Sequence, residues 1–309
     1  MAKVFVSYSH VQGDWVWSRL VPLLKAYGAE VLIDVERFRG GIALHQQMDD
    51  LQDQADHQLL CFSNSYLTSP NCEREWKRAH ATDPGFTSGR VIPIKVEAGV
   101  TLPPEIRTPN PLYFNLTNDR NSGTWKQLFE SLGLHVPCCP VEWLEGVDDI
   151  MLTLPRMGCV NLVIEKGLQS RPLIDHLVTA QHPRKLLPDL KTIDLANGEC
   201  ASRPGLLQTL LTAAGIRQTL PKSKPADLVE FSRLVSGLPS LQLAIQHFDM
   251  VVTNRREYTD QLFATLYNLT QERKLALLVV SHSPYATLLP ADHPISSIQF
   301  KTVELKGLR

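Results

Sequence analysis

The six cysteines, Cys61, Cys72, Cys138, Cys139, Cys159 and Cys200, include no CxxC pair and no Cys/His spacing that would hold zinc. That excludes a zinc ribbon or finger and predicts reduced thiols. The opening residues MAKVFVSYSHVQGDW have neither the apolar core nor the cleavage site of a signal peptide, and no apolar run reaches the length of a bilayer span. Both absences predict a cytoplasmic location and no membrane partner. An excess of one charge is lacking too. The net charge is -1, with 13 Lys+Arg against 15 Asp+Glu through residue 137 and 18 against 17 after it, so there is no broad basic footprint for nucleic acid.

What is present is 43% hydrophobic and 20% charged residues over 309 positions, the balance of a globular chain long enough for two domains. Residues 3–8, KVFVSY, read as a buried parallel strand. Asp14 is placed to cap a helix over residues 15–27, where Val16, Leu20, Leu23, Leu24 and Tyr27 recur at helical spacing, and Gly28 stops it. Residues 30–34, EVLID, form the second strand, and VERFRGG is the loop leaving it, with Gly40 and Gly41 free to take positive φ. A helix with Leu44, Met48 and Leu51 inward and Asp49, Asp50 and Asp53 on a solvated face leads to a third strand at residues 58–63. The helix CEREWKRAH, the strands RVIPIKV and LYFN, and a helix over residues 124–132 follow. This alternation predicts a doubly wound parallel sheet whose ligands bind beyond the strand C-termini.

VFVSYSH at the start, then VLIDVERFRGG, then SNSYLTSPNCEREW after the third strand resemble the three conserved boxes of TIR domains in order and spacing, and RVIPIKVE agrees at the fourth strand. The resemblance covers residues 1–135 and is similar to bacterial TIR proteins and to the animal axon-degeneration NAD hydrolase. It implies a flavodoxin-like fold, self-association through TIR domains, and cleavage of the nicotinamide–ribose bond of NAD+ by a glutamate on the helix after the third strand. The matching residue is Glu75, from the pattern of Cys72, two further residues, then a Glu followed by Trp76; the same pattern disfavours Glu73.

The chemistry suits a single carboxylate. Nicotinamide leaves NAD+ as a neutral molecule and needs little acid assistance, whereas the ribosyl cation needs a negative charge held against the sugar. Ser7 and Tyr8 end the first strand and Asp34 ends the second, at the ligand-binding edge. Arg37, Phe38 and Arg39 ride the next loop, where Phe38 can stack on nicotinamide or adenine and an arginine can meet the diphosphate. NAD+ is then a substrate, and no cofactor or metal is expected. Plainer roles stand beside these: strand-end packing for Ser7 and Tyr8, a solvated or self-association loop for Arg37 and Arg39, and a surface charge for Glu75. Trp76 is expected as a core anchor.

HVPCCPVEW carries prolines and no periodicity, which places a linker at residues 136–146 and a second domain at 147–309. The adjacent Cys138 and Cys139 are read as idle thiols. Strand and helix patterns alternate again beyond it. Their order resembles a P-loop ATPase of the AAA or STAND type, with LQLAIQHFDMV in place of the Walker B strand and LALLVVSHSP in the next. EKGLQSRPLI stands where GxxxxGK[ST] would be: Gly167 survives, the Lys and the metal-binding hydroxyl do not. Gln246 and His247 occupy the acid's place, and Asp249 falls late. The implied module is an α/β pseudo-ATPase lacking its Walker motifs, used for recognition or assembly. Ser281, His282 and Asp292 lack a GxSxG elbow and read as polar strand-end residues.

The function so implied is an NAD+ glycohydrolase effector of prokaryotic antiviral immunity. It stays silent until a protein or small-molecule trigger meets the second domain and TIR domains cluster. The alternative is a non-enzymatic TIR adaptor, and the presence of Glu75 favours the enzyme. An NTP-driven switch is disfavoured by the missing Lys. The product, whether ADP-ribose, a cyclic form or a conjugate, stays open because all pass through the same ribosyl cation.

Overall fold

The computed structural model describes residues 1–309 except 38, 42, 136–138, 179–186, 188, 189, 222, 224, 291, 308 and 309. Two units divide the chain, Met1–Val141 and Glu142–Gly307.

In the first unit, apolar runs form β1 (Lys3–Ser7), β2 (Glu30–Leu32), β3 (His57–Phe62), β4 (Val91–Lys95) and β5 (Phe114–Asn115). They pair in parallel in the order β2-β1-β3-β4-β5. This is the flavodoxin-like order, in which the chain reverses direction across the sheet between β1 and β3, the switch point at whose C-terminal ends such sheets bind ligands. The central strands are buried along most of their length, as a sheet covered on both faces requires.

Several local details depart from the sequence reading. Ser9, not Asp14, caps the chain leaving β1, accepting from the Val11 amide ahead of the turn His10–Gln12; Asp14 lies in the first turn of the helix Gly13–Trp15. A π turn, Val16–Leu20, separates that helix from Val21–Ala26. Pro22, near the start of the latter, has no amide to donate back, and the wider turn absorbs the missing bond. Gly28 ends the helix at φ +88°. Asp34 does not end β2. That edge strand stops at Leu32, and Asp34 opens the helical turn Asp34–Arg37, where the Glu36 amide bonds Ile33 O at 3.3 Å. Of the two loop glycines only Gly41 takes positive φ.

In the helix Leu44–Gln54, Met48 and Leu51 are buried but Leu44 is exposed, because it sits in the first turn. Nor is the acidic face merely solvated. Asp49 pairs with Arg74 at 2.6 Å and with Arg78 at 3.2 Å, and Asp53 meets Arg78 at 2.9 Å. A helix absent from the sequence reading, Asn64–Thr68, follows β3, with Ser63 Oγ accepting from the Tyr66 amide at 3.0 Å.

In the second unit, β6 (Cys159–Ile164), β7 (Leu190–Asp194), β8 (Leu241–Gln246), β9 (Leu275–Ser281) and β10 (Phe300–Leu305) form a parallel sheet in the order β10-β6-β9-β8-β7. The protein is therefore two parallel-sheet α/β units. Within the buried interior of this unit, Asn161 on β6 donates to Ser281 Oγ at 3.1 Å and accepts from the Tyr285 amide at 3.0 Å, which satisfies a polar group in mid-sheet. Arg203 and Asp227 are both buried and meet through two bonds of 3.0 Å.

Residues 140–146 of the expected linker are not loop. They begin the helix Pro140–Thr153. Pro140 suits the first helical position, and Trp143, Leu144, Val147 and Ile150 are buried at helical spacing. Cys138 lies outside the described residues; Cys139 Sγ is 3.1 Å from Ser122 Oγ. Among the described residues no helix is long and apolar enough to cross a membrane, and no group of three His, Cys, Asp or Glu is arranged to hold a metal ion.

Candidate active site

Glu75 is carried on the helix Pro70–Thr82, which Ser69 caps by accepting from the Cys72 amide and which Pro70 starts with a preset φ. Helical spacing turns Cys72, Glu75, Trp76 and Ala79 inward, so Trp76 is the core anchor expected of it. Glu73 points out and pairs with Lys77 at 2.5 Å. Only 7% of Glu75 is exposed.

The β1–β3 pairing brings Ser7 to this carboxylate directly and Tyr66 to it through Ser7. Ser7, the last residue of β1 and itself buried, donates from Oγ to Glu75 Oε2. Tyr66, fully buried on Asn64–Thr68, has its hydroxyl 2.6 Å from the same Ser7 Oγ. Gln52 Nε2 donates to the Glu75 carbonyl at 3.1 Å, and Cys72 Sγ reaches Tyr8 O at 3.5 Å. Burial pushes the Glu75 carboxyl from 4.5 up to about 7; the Ser7 bond opposes that, the Asp34 charge adds to it, and Arg74 and His10 oppose it. The carboxyl is thus held near neutrality at the C-terminal edge of the sheet, chiefly by its burial.

A second network forms the rim. The Tyr8 hydroxyl accepts from Trp17 Nε1 at 3.1 Å and donates to Asp34 Oδ1 at 3.3 Å. The other Asp34 oxygen is 2.7 Å from His10 Nε2. Burial pushes the Tyr8 phenol well up, so it stays neutral and donating. Ser7, Tyr8, Asp34 and Glu75 thus lie in two hydrogen-bonded networks at the C-terminal edge of the sheet. The sequence reading did not single out His10 and Tyr66. His10 is the last residue of the first box and Tyr66 lies within the third, but the role of Tyr66 depends on which strand neighbours β1, which neither box shows. Arg39 is exposed, and its backbone N–H and C=O bond the Gln47 side chain at 2.6 and 3.1 Å. Arg37 belongs to the turn Asp34–Arg37. Phe38 and the Arg37 side chain lie outside the described residues.

The second unit has its own cleft of about 270 Å³ at the C-terminal ends of its strands. His247 there takes φ +55° and bonds Asp194 at 2.6 Å through Nδ1. Asp249, with Oδ2 at 2.9 Å, accepts from the His282 amide, and His282 Nδ1 donates to Ile164 O at 2.9 Å. Ser281 Oγ bonds Ser283 O rather than an imidazole, and Asp292 lines a separate cavity, so Ser281, His282 and Asp292 make no triad.

A flavodoxin-like domain with a buried carboxyl beside the C-terminal ends of β1 and β3 is the class that fold and site define. Residues 4–132 match the TIR domain family, and the first unit is a TIR domain. Among solved structures, the TIR domain of the Toll-related receptor TRR-2 from Hydra magnipapillata is 16% identical, with a TM-score of 0.38, over 43% of this chain and 98% of that one. A prokaryotic SEFIR domain is 22% identical, with a TM-score of 0.33, over 43% and 92%. The Walker-type ATPase of Pyrococcus abyssi is 14% identical, with a TM-score of 0.36, over 52% of each chain. No curated protein matches the chain.

Proposed function

We propose that the TIR domain is an NAD+ glycohydrolase that releases nicotinamide, with Glu75 as the catalytic carboxylate. TIR domains include NAD-hydrolysing enzymes and commonly self-associate. The observation that carries the reading is Glu75 itself: a nearly buried carboxyl at the C-terminal edge of the sheet, held by Ser7 and lifted to about 7. In this reading the ionised carboxylate lies against the ribose hydroxyls and stabilises the cation left when nicotinamide departs. Its shielding from water strengthens that interaction. In this reading Tyr8 and Asp34 line the substrate's approach, and the sequence offers Arg37, Phe38 and Arg39 as further substrate contacts.

Rate should rise with pH through about 7 as Glu75 ionises. The second unit is the regulatory part: recognition of a protein or small-molecule trigger gathers TIR domains and switches the effector on, in prokaryotic antiviral immunity. An NAD+ hydrolase that ran continuously would starve its own cell, which is the physical reason for such restraint.

The test is purified protein with NAD+, alone and after forced clustering, with nicotinamide followed by chromatography. Release by the wild type and a loss of about 10²–10⁴-fold in Glu75→Gln is the expected result. If neither state releases nicotinamide, the carboxyl is a structural one and the adaptor reading takes its place.

A further inference from the structure

We propose that Tyr66 is a positioning residue whose hydroxyl commits the single Ser7 proton to Glu75. The inference rests on the reading of Glu75 as the catalytic carboxylate. A serine hydroxyl has one proton to give and two lone pairs to receive with, whereas an ionised carboxylate only receives. Ser7 Oγ is bonded to both Glu75 Oε2 and the Tyr66 hydroxyl. With Glu75 ionised, the Ser7 proton lies on the Glu75 side, so the proton between Ser7 and Tyr66 belongs to Tyr66. The order Tyr66 to Ser7 to Glu75 follows from counting protons.

The chain has only one satisfied direction. Tyr66 is wholly buried, and among the described residues Ser7 is the partner its hydroxyl has. Were the Ser7 proton turned toward Tyr66, the Tyr66 proton would be left without an acceptor in the core, and an orphaned buried donor is costly. Tyr66 therefore biases Ser7 toward Glu75, and each bond polarises the next. Burial raises the Tyr66 phenol well above its ordinary value, so it does not itself ionise.

The other titratable groups around Glu75 come from every element packed near it. His10 follows β1 and Asp34 opens the turn after β2; Cys61 lies on β3, Cys72 and Arg74 on Glu75's own helix, and Asp49 across from Arg74. Of the groups acting on Glu75 itself, Asp34 raises its pKa, and Arg74 and His10 lower it. None of these bonds the Ser7 hydroxyl, which makes the Tyr66 contribution separable from them.

The experiment is a carbon-13 NMR titration of Glu75 in the full-length protein carrying carboxyl-labelled glutamate, its signal assigned by loss in Glu75→Gln. Tyr66→Phe should move the Glu75 midpoint upward by about half to one pH unit, the span of one hydrogen bond. In a Ser7→Ala background Tyr66→Phe should add nothing. The low-pH limb of kcat/KM for NAD+ should shift with the NMR midpoint, and activity should recover at high pH. An unchanged Glu75 titration in Tyr66→Phe, or an equal shift with and without Ser7, overturns the proposal. Since the titration needs no turnover, a shifted midpoint in a protein that releases no nicotinamide would leave the relay standing and remove only the enzymatic reading.

Discussion

Gln52 donates from Nε2 to the main-chain oxygen of Glu75 at 3.1 Å, and it does so from full burial. The bond crosses from the helix Leu44–Gln54 to Pro70–Thr82, and the Arg78 and Asp53 ion pair at 2.9 Å reinforces the same junction. The position of the carboxyl is therefore fixed through its backbone as well as by Ser7.

Gln52→Ala should destabilise the first domain by about 1–3 kcal/mol, the cost of a lost buried partner. Under the proposed function, NAD+ cleavage by this variant should fall without any movement of the low-pH limb, since Gln52 does not touch the carboxyl. Thermal denaturation and a pH–rate profile check this, and a shifted limb would contradict it.

Glu75 also makes stability depend on pH. Its folded value of about 7 lies above the ordinary 4.5, so between those values the folded chain holds a proton that the unfolded chain has given up. The cost of burying the charge is absent below about 4.5 and complete above about 7. Glu75→Gln should be more stable than wild type by about 3 kcal/mol at pH 8, with the gain shrinking toward zero below pH 4.5. Urea denaturation across that range is the measurement; a gain independent of pH would count against it.

Asp83 has the opposite sign. Burial pushes its carboxyl up, but donation from Ser88 and Thr87 outweighs that and holds it below its ordinary 3.8. Its contribution is present above that value and lost as pH falls through the folded one. Asp83→Asn should therefore destabilise the protein at neutral pH, and the difference from wild type should narrow on acidification below 3.8, as followed by urea melts.

In the second domain, Asp227→Ala strands the Arg203 guanidinium in the core and should cost about 3–5 kcal/mol. Replacing both residues with apolar side chains of similar volume should recover most of it. Denaturation monitored within this domain distinguishes the two outcomes.

Gly205 leaves no room for a side chain: a Cβ there would lie 2.0 Å from the Glu199 carbonyl oxygen. Gly205→Ala should therefore cost about 1–3 kcal/mol, despite the higher helix propensity of alanine. A neutral or stabilising effect in the same melts would show that the turn Gly198–Ala201 yields freely.

The strands of both sheets were legible because apolar, β-branched runs of that length have few alternatives, and Glu75 was legible because the third box marks its position. The helix Pro140–Thr153 was not, since the prolines around Cys138 and Cys139 suggest a break while the stripe from Trp143 to Ile150 begins only after them. The π turn was hidden for a related reason: Leu20, Leu23 and Leu24 keep near-helical spacing whether or not the backbone widens ahead of Pro22. Ser7 could be placed at the sheet edge from its position alone. Its bonds to Glu75 and Tyr66 could not, because they join residues 68 and 59 positions away, and only the adjacency of β1 and β3 brings those together.

The first sheet ends at one side in three residues, Glu30–Leu32, and at the other in two, Phe114–Asn115. Strands so short present too few free amides and carbonyls to recruit a strand from another chain. Contacts between copies of this domain are therefore expected on helix faces and loops rather than at a sheet edge. Such a contact is specified by side chains and can be dissolved by a single charge reversal, unlike the backbone zipper of an amyloid-like stack.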